Sequence, residues 1–274
     1  MRRLLNGKSL DELAIERIRD FEPDALAKHP GGYWLAFSGG KDSVVILDLT
    51  ERAGVRFEAH HNLTTVDPPE LVRFVRTFAN VKIDVPPKTM WQLIREHRCP
   101  PRRNARYCCQ ELKERGGSGR VVLTGVRADE SPRRAARRMV EACYRDGTKS
   151  YVHAIMDWTT ADVWQYIRER KLRYCRLYDE GFARIGCVLC PMTRDITRQI
   201  ARWPKLCAGW RRVIMSTWRP GYVSRRGTRF YSAEAYWEWW LDRDAARLDD
   251  ASPVLFEDDP GQAVAAARKE TDAR

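Results

Sequence analysis

No apolar stretch in the 274 residues approaches the roughly 20 consecutive residues a membrane-spanning helix needs, which argues against a membrane partner. The opening Met1-Arg2-Arg3-Leu4-Leu5 meets Asn6 and Gly7 too early for the apolar centre of a secretory leader; a cytoplasmic protein is expected. A Gly-x4-Gly-Lys-Ser/Thr run is missing, and so is a Gly-x-Gly-x-x-Gly turn, which excludes a Walker loop and a dinucleotide-binding turn. There is no internal repeat. Acidic residues are the minority, 37 against 49 Lys and Arg, for a formal charge of +12. Such an excess attracts polyanions, either nucleic acid or a phosphate-rich small molecule. The eight cysteines do not suggest a disulfide framework, because thiols stay reduced inside cells and a core of this size needs no staples. Metal or redox chemistry comes first.

What is present reads as alternating strands and helices. Ser9 is an N-cap with Glu12 as its capping-box partner, and Leu13, Ile15 and Ile18 form one stripe, so a helix is expected over residues 9–29. Tyr33-Trp34-Leu35-Ala36-Phe37 is an apolar strand that ends at Gly39-Gly40 and is followed by a buried helix through Val44–Leu49. Further strands are expected at Phe57–Leu63, Val81–Val85 and Val121–Val126, with helices at Pro68–Ala79 and Met90–His97 between them. That alternation implies a doubly wound, mostly parallel α/β sheet over residues 1–150. A helical, cysteine-bearing extension is expected over 151–245, with helices from Thr159 to Lys171, from Trp203 to Trp218 and from Ala233 to Leu241. A frayed tail is expected over 246–274.

The chemistry concentrates at Ser38-Gly39-Gly40-Lys41-Asp42-Ser43. Two adjacent glycines let the backbone N–H groups close around an anion, and the following helix directs its positive end at the same place. Ser43 adds a hydroxyl, Lys41 a charge, and Asp42 can orient the loop or help hold Mg2+. Arginine is clustered as well: Arg102, Arg103 and Arg106; Arg133, Arg134, Arg137 and Arg138; Arg211, Arg212, Arg219, Arg225, Arg226 and Arg229.

At these residues the chain resembles the PP-loop ATP pyrophosphatase superfamily, with its Ser-Gly-Gly-x-Asp-Ser signature, and within it the phosphoadenosine-phosphosulfate reductase family. The similarity extends to Gly125-Val126-Arg127-Ala128-Asp129-Glu130-Ser131 with Arg134, to Tyr107-Cys108-Cys109-Gln110-Glu111-Leu112-Lys113, to Asp157-Trp158-Thr159 with Asp162-Val163-Trp164, and to Leu177-Tyr178-Asp179-Glu180-Gly181-Phe182. The resemblance implies an adenine nucleotide, ATP or a relative, cleaved or displaced at the α-phosphate. Gly125, Arg127, Glu130 and Arg134 would lie on the ligand side of the sheet beside the Ser38 loop. Arg127 and Lys113 would stabilise charge at the α-phosphate, with Asp42 as the third catalytic residue. Asp67, in the loop after the second strand, is a candidate for sugar or metal contact.

Cys187 and Cys190 form a Cys-x-x-Cys knuckle, which turns two thiolates onto one metal. Cys108, Cys109 and Cys207 are the candidates for the remaining ligands. By the family resemblance a [4Fe-4S] cluster is expected, with structural zinc or no metal as alternatives. Reductases of the family carry a nucleophilic cysteine near the C-terminus, and no cysteine follows Cys207 here. The expected activity is therefore ATP cleavage that activates a substrate for sulfur transfer or modification. That substrate could be DNA or RNA, read by the arginines and by aromatics such as Trp237, Trp239 and Trp240, with a sulfur donor such as a cysteine desulfurase. Sulfonucleotide reduction and a nucleotide-sensing nucleic-acid-binding module are the alternatives. Self-association as a homo-oligomer is left open.

Overall fold

Tyr33 and Leu35 are fully buried on a strand short enough to be read from its apolar run, β1 (Tyr33–Ala36). Around it lie β2 (Phe57–Asn62), β3 (Val81–Asp84), β4 (Val121–Leu123), β5 (Val140–Ala142) and β6 (Ser150–Val152). The sheet order is β3-β2-β1-β4-β6-β5. All neighbours pair parallel except β5, which runs antiparallel to β6. The computed structural model of the chain describes residues 1–3, 7–223 and 227–242. Leu4 and Leu5 of the expected non-leader start, Arg225 and Arg226 of the third arginine group, and the expected tail over 246–274 lie outside the described residues.

The mostly parallel α/β sheet expected from the sequence is present. Leu35 faces Ala59 of β2 on one side and Leu123 of β4 on the other. The helix after β1, α3 (Lys41–Ala53), is buried at Val44, Val45, Ile46, Leu47, Leu49 and Thr50. A helix covered on most of its circumference is what a crossover against a parallel sheet requires. From β1 the chain moves outward through β2 and β3, then returns to place β4 on the other flank of β1. The ends of β1 and β4 thus form the switch point where open α/β sheets leave a crevice for ligands.

The expected helix over 9–29 is two helices, α1 (Leu10–Asp20) and α2 (Glu22–Lys28). Phe21 breaks the ladder at φ −98° and ψ 5°, and Pro23 sits in the first turn of α2, where its missing N–H and ring are tolerated but the α1 ladder cannot continue. Ser9 does close the capping box with Glu12, and the Tyr33 hydroxyl donates to the Ile18 carbonyl at 2.7 Å, tying α1 to β1. Strands β5 and β6 were not foreseen. Each has only three residues, too few for an alternating pattern to register. The segment Tyr107–Leu112, read only as cysteine-bearing, is the short helix α6 once α4 (Pro69–Val75) and α5 (Met90–His97) are counted. Further helices are α7 (Pro132–Ala135), α8 (Thr160–Glu169), α9 (Ile196–Arg202), α10 (Pro204–Met215) and α11 (Ala233–Leu241).

The chain divides into two units. One comprises Met1–Met90 with Cys108–Val188 and contains the sheet; the other comprises Trp91–Tyr107 with Leu189–Arg274. Within the second, Trp210 meets Trp91 edge-on at 5.3 Å and stacks on Trp240 at 5.1 Å. The Trp240 indole N–H donates to the Pro101 carbonyl at 2.9 Å. Trp237 and Trp240 are buried, Tyr236 is buried beside them, and Trp239 stacks on Tyr236. Of the aromatics expected to face nucleic acid, Trp237 and Trp240 are therefore core and Trp239 is half-buried: large rings at helical spacing close this unit. Among the described residues no helix is long and apolar enough to cross a membrane.

Leu35→Ala at the centre of β1 is expected to lower unfolding stability by about 2–5 kcal/mol, against about 1 kcal/mol for Ser9→Ala at the α1 cap. Urea melts of the two variants check the ranking.

Candidate nucleotide site

Every residue assigned to the nucleotide from the sequence lies in the sheet-bearing unit. The Ser38 loop leaves the end of β1 and becomes the first turn of α3, with Gly40 as N-cap. Gly39 sits at φ +74°, and a Cβ there would come within 2.7 Å of Leu71 and Val75. Only glycine gives the loop this shape against α4. The Ser43 hydroxyl donates to the Gly40 carbonyl at 2.8 Å and lies 3.2 Å from the Ser38 hydroxyl. Two loop amides are engaged by hydroxyls: Gly40 N–H by Ser38 Oγ at 3.3 Å and Lys41 N–H by the Tyr178 hydroxyl at 2.9 Å. Both partners are neutral, so a phosphate, a stronger acceptor, can take these amides over.

On the other side of the switch point, Gly125 follows β4. A Cβ on it would lie 2.9 Å from the Asp42 carbonyl and 3.0 Å from the Asp42 Cβ, so this glycine lets the two loops touch. The contact is fixed by charge. Arg127 Nε donates to Asp42 Oδ1 at 2.8 Å, while Lys41 Nζ donates to Asp42 Oδ2 at 3.1 Å.

Arg127 is 1% exposed. Besides Asp42, its guanidinium donates to Asp129 at 3.3 Å, to the Trp158 carbonyl at 3.2 Å and to Thr160 Oγ1 at 3.2 Å. The Thr160 amide and hydroxyl, with Arg127, hold the Asp129 carboxyl below its usual range. So enclosed, the Arg127 guanidinium positions Asp42 and the loop after β4. Arg134 is paired with Glu130 four residues earlier, and Glu130 also accepts from the Arg127 backbone N–H at 3.1 Å. Asp67 accepts from the Thr64 amide at 2.7 Å and closes the loop after β2. The Lys113 carbonyl accepts from Asn62 at 2.8 Å, which puts the residue at the end of β2. Sequence reasoning missed Tyr178, read as structural, and also Thr160 and His61. Tyr178 carried a signal, since it lies in one of the family-like segments.

Of the metal-ligand candidates, Cys108, Cys109 and Cys187 belong to the sheet-bearing unit and Cys190 and Cys207 to the other. The Cys187 thiol donates to Thr64 Oγ1 at 3.4 Å and the Cys207 thiol to the Gln199 carbonyl at 3.7 Å. Burial pushes the Cys207 thiol up to about 11. Among the described residues no group of three or more His, Cys, Asp or Glu side chains is gathered to hold a metal ion. An all-thiol donor set suits iron–sulfur or zinc, but neither unit carries four of the five candidates. Both Asp42 oxygens are engaged, so Mg2+ would be held chiefly by the nucleotide's own phosphates.

Residues 32–193 match the family model described as the phosphoadenosine phosphosulfate reductase domain, and the chain belongs to that family. It is 30% identical to the uncharacterized protein MJ0066 of Methanocaldococcus jannaschii over 66% of its own length and 41% of that protein. It is 29% identical to an adenosine 5′-phosphosulfate reductase of Pseudomonas aeruginosa over 62% of its length and 71% of that enzyme. A solved phosphoadenylyl-sulfate reductase from Candida auris, in a phosphate complex, aligns with a TM-score of 0.46 at 19% identity, covering 68% of this chain and 97% of that one. The chain spans about half or less of the curated relatives it first matches, 41%, 51% and 42% of their lengths.

Two substitutions separate shape from charge at this corner. Gly125→Ala drives a Cβ into the Asp42 backbone and should destabilise the fold by about 1–3 kcal/mol, read by denaturant unfolding. Asp42→Asn leaves the buried Arg127 with Asp129 as its remaining anion and should destabilise the protein by about 1–3 kcal/mol, read by denaturant unfolding.

Proposed function

We propose that the chain binds ATP at Ser38–Ser43 and cleaves it at the α-phosphate to activate a second substrate. The observation that carries this reading is the meeting of an anion-binding helix start with the Gly125 corner at the switch point of the sheet. In this reading the amides of Gly40 and Lys41, with the Ser38 and Ser43 hydroxyls, hold the departing phosphates. An oxygen or sulfur of the second substrate attacks the α-phosphorus, and the bond to the β-phosphate oxygen breaks, releasing pyrophosphate. Lys113 and Arg127 are the cations assigned to the charge that develops. Asp42, held by Arg127, fixes the loop. Mg2+ would neutralise the phosphates.

The charge of +12 supports a polyanionic second substrate, DNA or RNA, modified with sulfur from a donor protein such as a cysteine desulfurase. Exposed Arg133 and Arg138 follow the loop after β4 and could track phosphates. A [4Fe-4S] cluster belongs to the same proposal, and no step is routed through it. The alternative, sulfonucleotide reduction, is favoured by the names of relatives such as the Pseudomonas enzyme. It needs an accessible thiolate, whereas Cys207 is 5% exposed.

Incubation with ATP and Mg2+, with and without nucleic acid and a persulfide donor, should yield AMP and pyrophosphate in equal amounts. Sulfite release from adenylylsulfate or its 3′-phosphorylated form with thioredoxin, in place of those products, would favour the reductase. Anaerobic purification should give about four iron and four sulfide per chain; a preparation that remains metal-free after reconstitution with iron and sulfide would remove the cluster.

A further inference from the structure

His61 is 3% exposed and stands at the next-to-last position of β2. Its Nδ1 lies 3.0 Å from the carbonyl oxygen of Phe37, the residue before Ser38. A carbonyl only accepts, so Nδ1 carries the proton. Burial pushes the ring's pKa below the ordinary histidine value, so the ring is neutral near pH 7 and Nε2 is a bare acceptor. That Nε2 is buried and has no hydrogen-bond partner among the described residues. The preceding His60 differs: its Nδ1 pairs with Asp84 at 2.7 Å and its ring stacks on Trp34.

A buried acceptor without a donor is unfavourable, and a ligand donor or a trapped water relieves it. The charges that act on the ring come from Asp67 in the loop after β2, Lys113 after α6 and Asp84 at the end of β3. Asp67 and Lys113 were assigned to the nucleotide from the sequence alone, and the Phe37 carbonyl leads directly into the anion loop. The orphan acceptor thus stands beside the strand end that leads into the anion loop, within the electrostatic reach of Asp67 and Lys113.

We infer that His61 Nε2 accepts a hydrogen bond from a donor on the bound adenine nucleotide, either the 6-amino group of the base or a ribose hydroxyl, and so helps select that nucleotide. The inference rests on the nucleotide reading above. An acceptor-only nitrogen discriminates sharply, because a ligand lacking the donor leaves it unpaired again.

The test is calorimetric binding of ATP, inosine triphosphate, 2′-deoxy-ATP and 3′-deoxy-ATP, each with Mg2+, to the native chain and to His61→Asn and His61→Gln. The asparagine amide can keep the Phe37 bond but falls short of the Nε2 position, whereas the longer glutamine can place an oxygen there. His61→Asn should weaken ATP binding about tenfold or more, and His61→Gln should recover part of that loss. One analogue should bind the native chain about tenfold more weakly than ATP and lose nothing further in His61→Asn. Inosine triphosphate in that role names the base as the donor; a deoxynucleotide names the sugar hydroxyl it lacks. Native affinity should be level from about pH 8 to 6.5 and decline below, because a protonated Nε2 donates instead of accepting; in His61→Gln that decline should vanish.

ATP binding that His61→Asn leaves within twofold overturns the inference, and so does an equal loss for all four nucleotides, the result expected of a water-filled structural site. Native protein that binds none of the four overturns the nucleotide reading itself and His61's role with it.

Discussion

The ion pair between Arg127 and Asp42 is the constraint on which the candidate site depends. It joins the first turn of the helix after β1 to the loop after β4, the two segments that flank the switch point. Arg127 is buried and is tolerated there because two anions, Asp42 and Asp129, and two neutral acceptors, the Trp158 carbonyl and the Thr160 hydroxyl, receive its N–H groups. Asp42 gains its orientation from that pairing, and the Ser38 loop gains its shape from Asp42's place in the helix. Gly125 makes the arrangement sterically possible, since any side chain would collide with the Asp42 backbone.

The network assigns separate tasks to residues that the sequence suggested as a group of phosphate contacts. Positive charge is spent in two ways. Arg127 and Arg134 each pair with a carboxylate of the protein. The helix start and its amides, held meanwhile by the Ser38 and Tyr178 hydroxyls, are what an anion can claim. Family membership gives the lineage of this cleft but not the reaction, because sulfonucleotide reductases and a probable FAD synthase are both among the relatives.

Much of this was legible in the sequence wherever a local rule decides the outcome. The strand at Tyr33, the glycine turn, the Ser9 cap and the helix bounded by Ala233 and Leu241 follow from periodicity and capping, which act within a few residues. The pieces that escaped are those decided at a distance. Strands β5 and β6 exist because an edge of the sheet was available to pair with, and the break at Phe21 reflects proline chemistry inside an otherwise continuous apolar stripe. The burial of Arg127 depends on Asp42, 85 residues away, and no spacing rule reveals it. The Trp237–Trp240 pair shows the converse: a composition that suits base stacking served the core of the second unit.

The central claim is that the Ser38–Ser43 loop and the Gly125–Glu130 corner together bind an adenine nucleotide. Hydrogen–deuterium exchange with and without ATP and Mg2+ tests it most directly. Protection confined mainly to residues 38–45 and 124–130 is the predicted result. Binding that protects other segments and leaves both of these unchanged would contradict it.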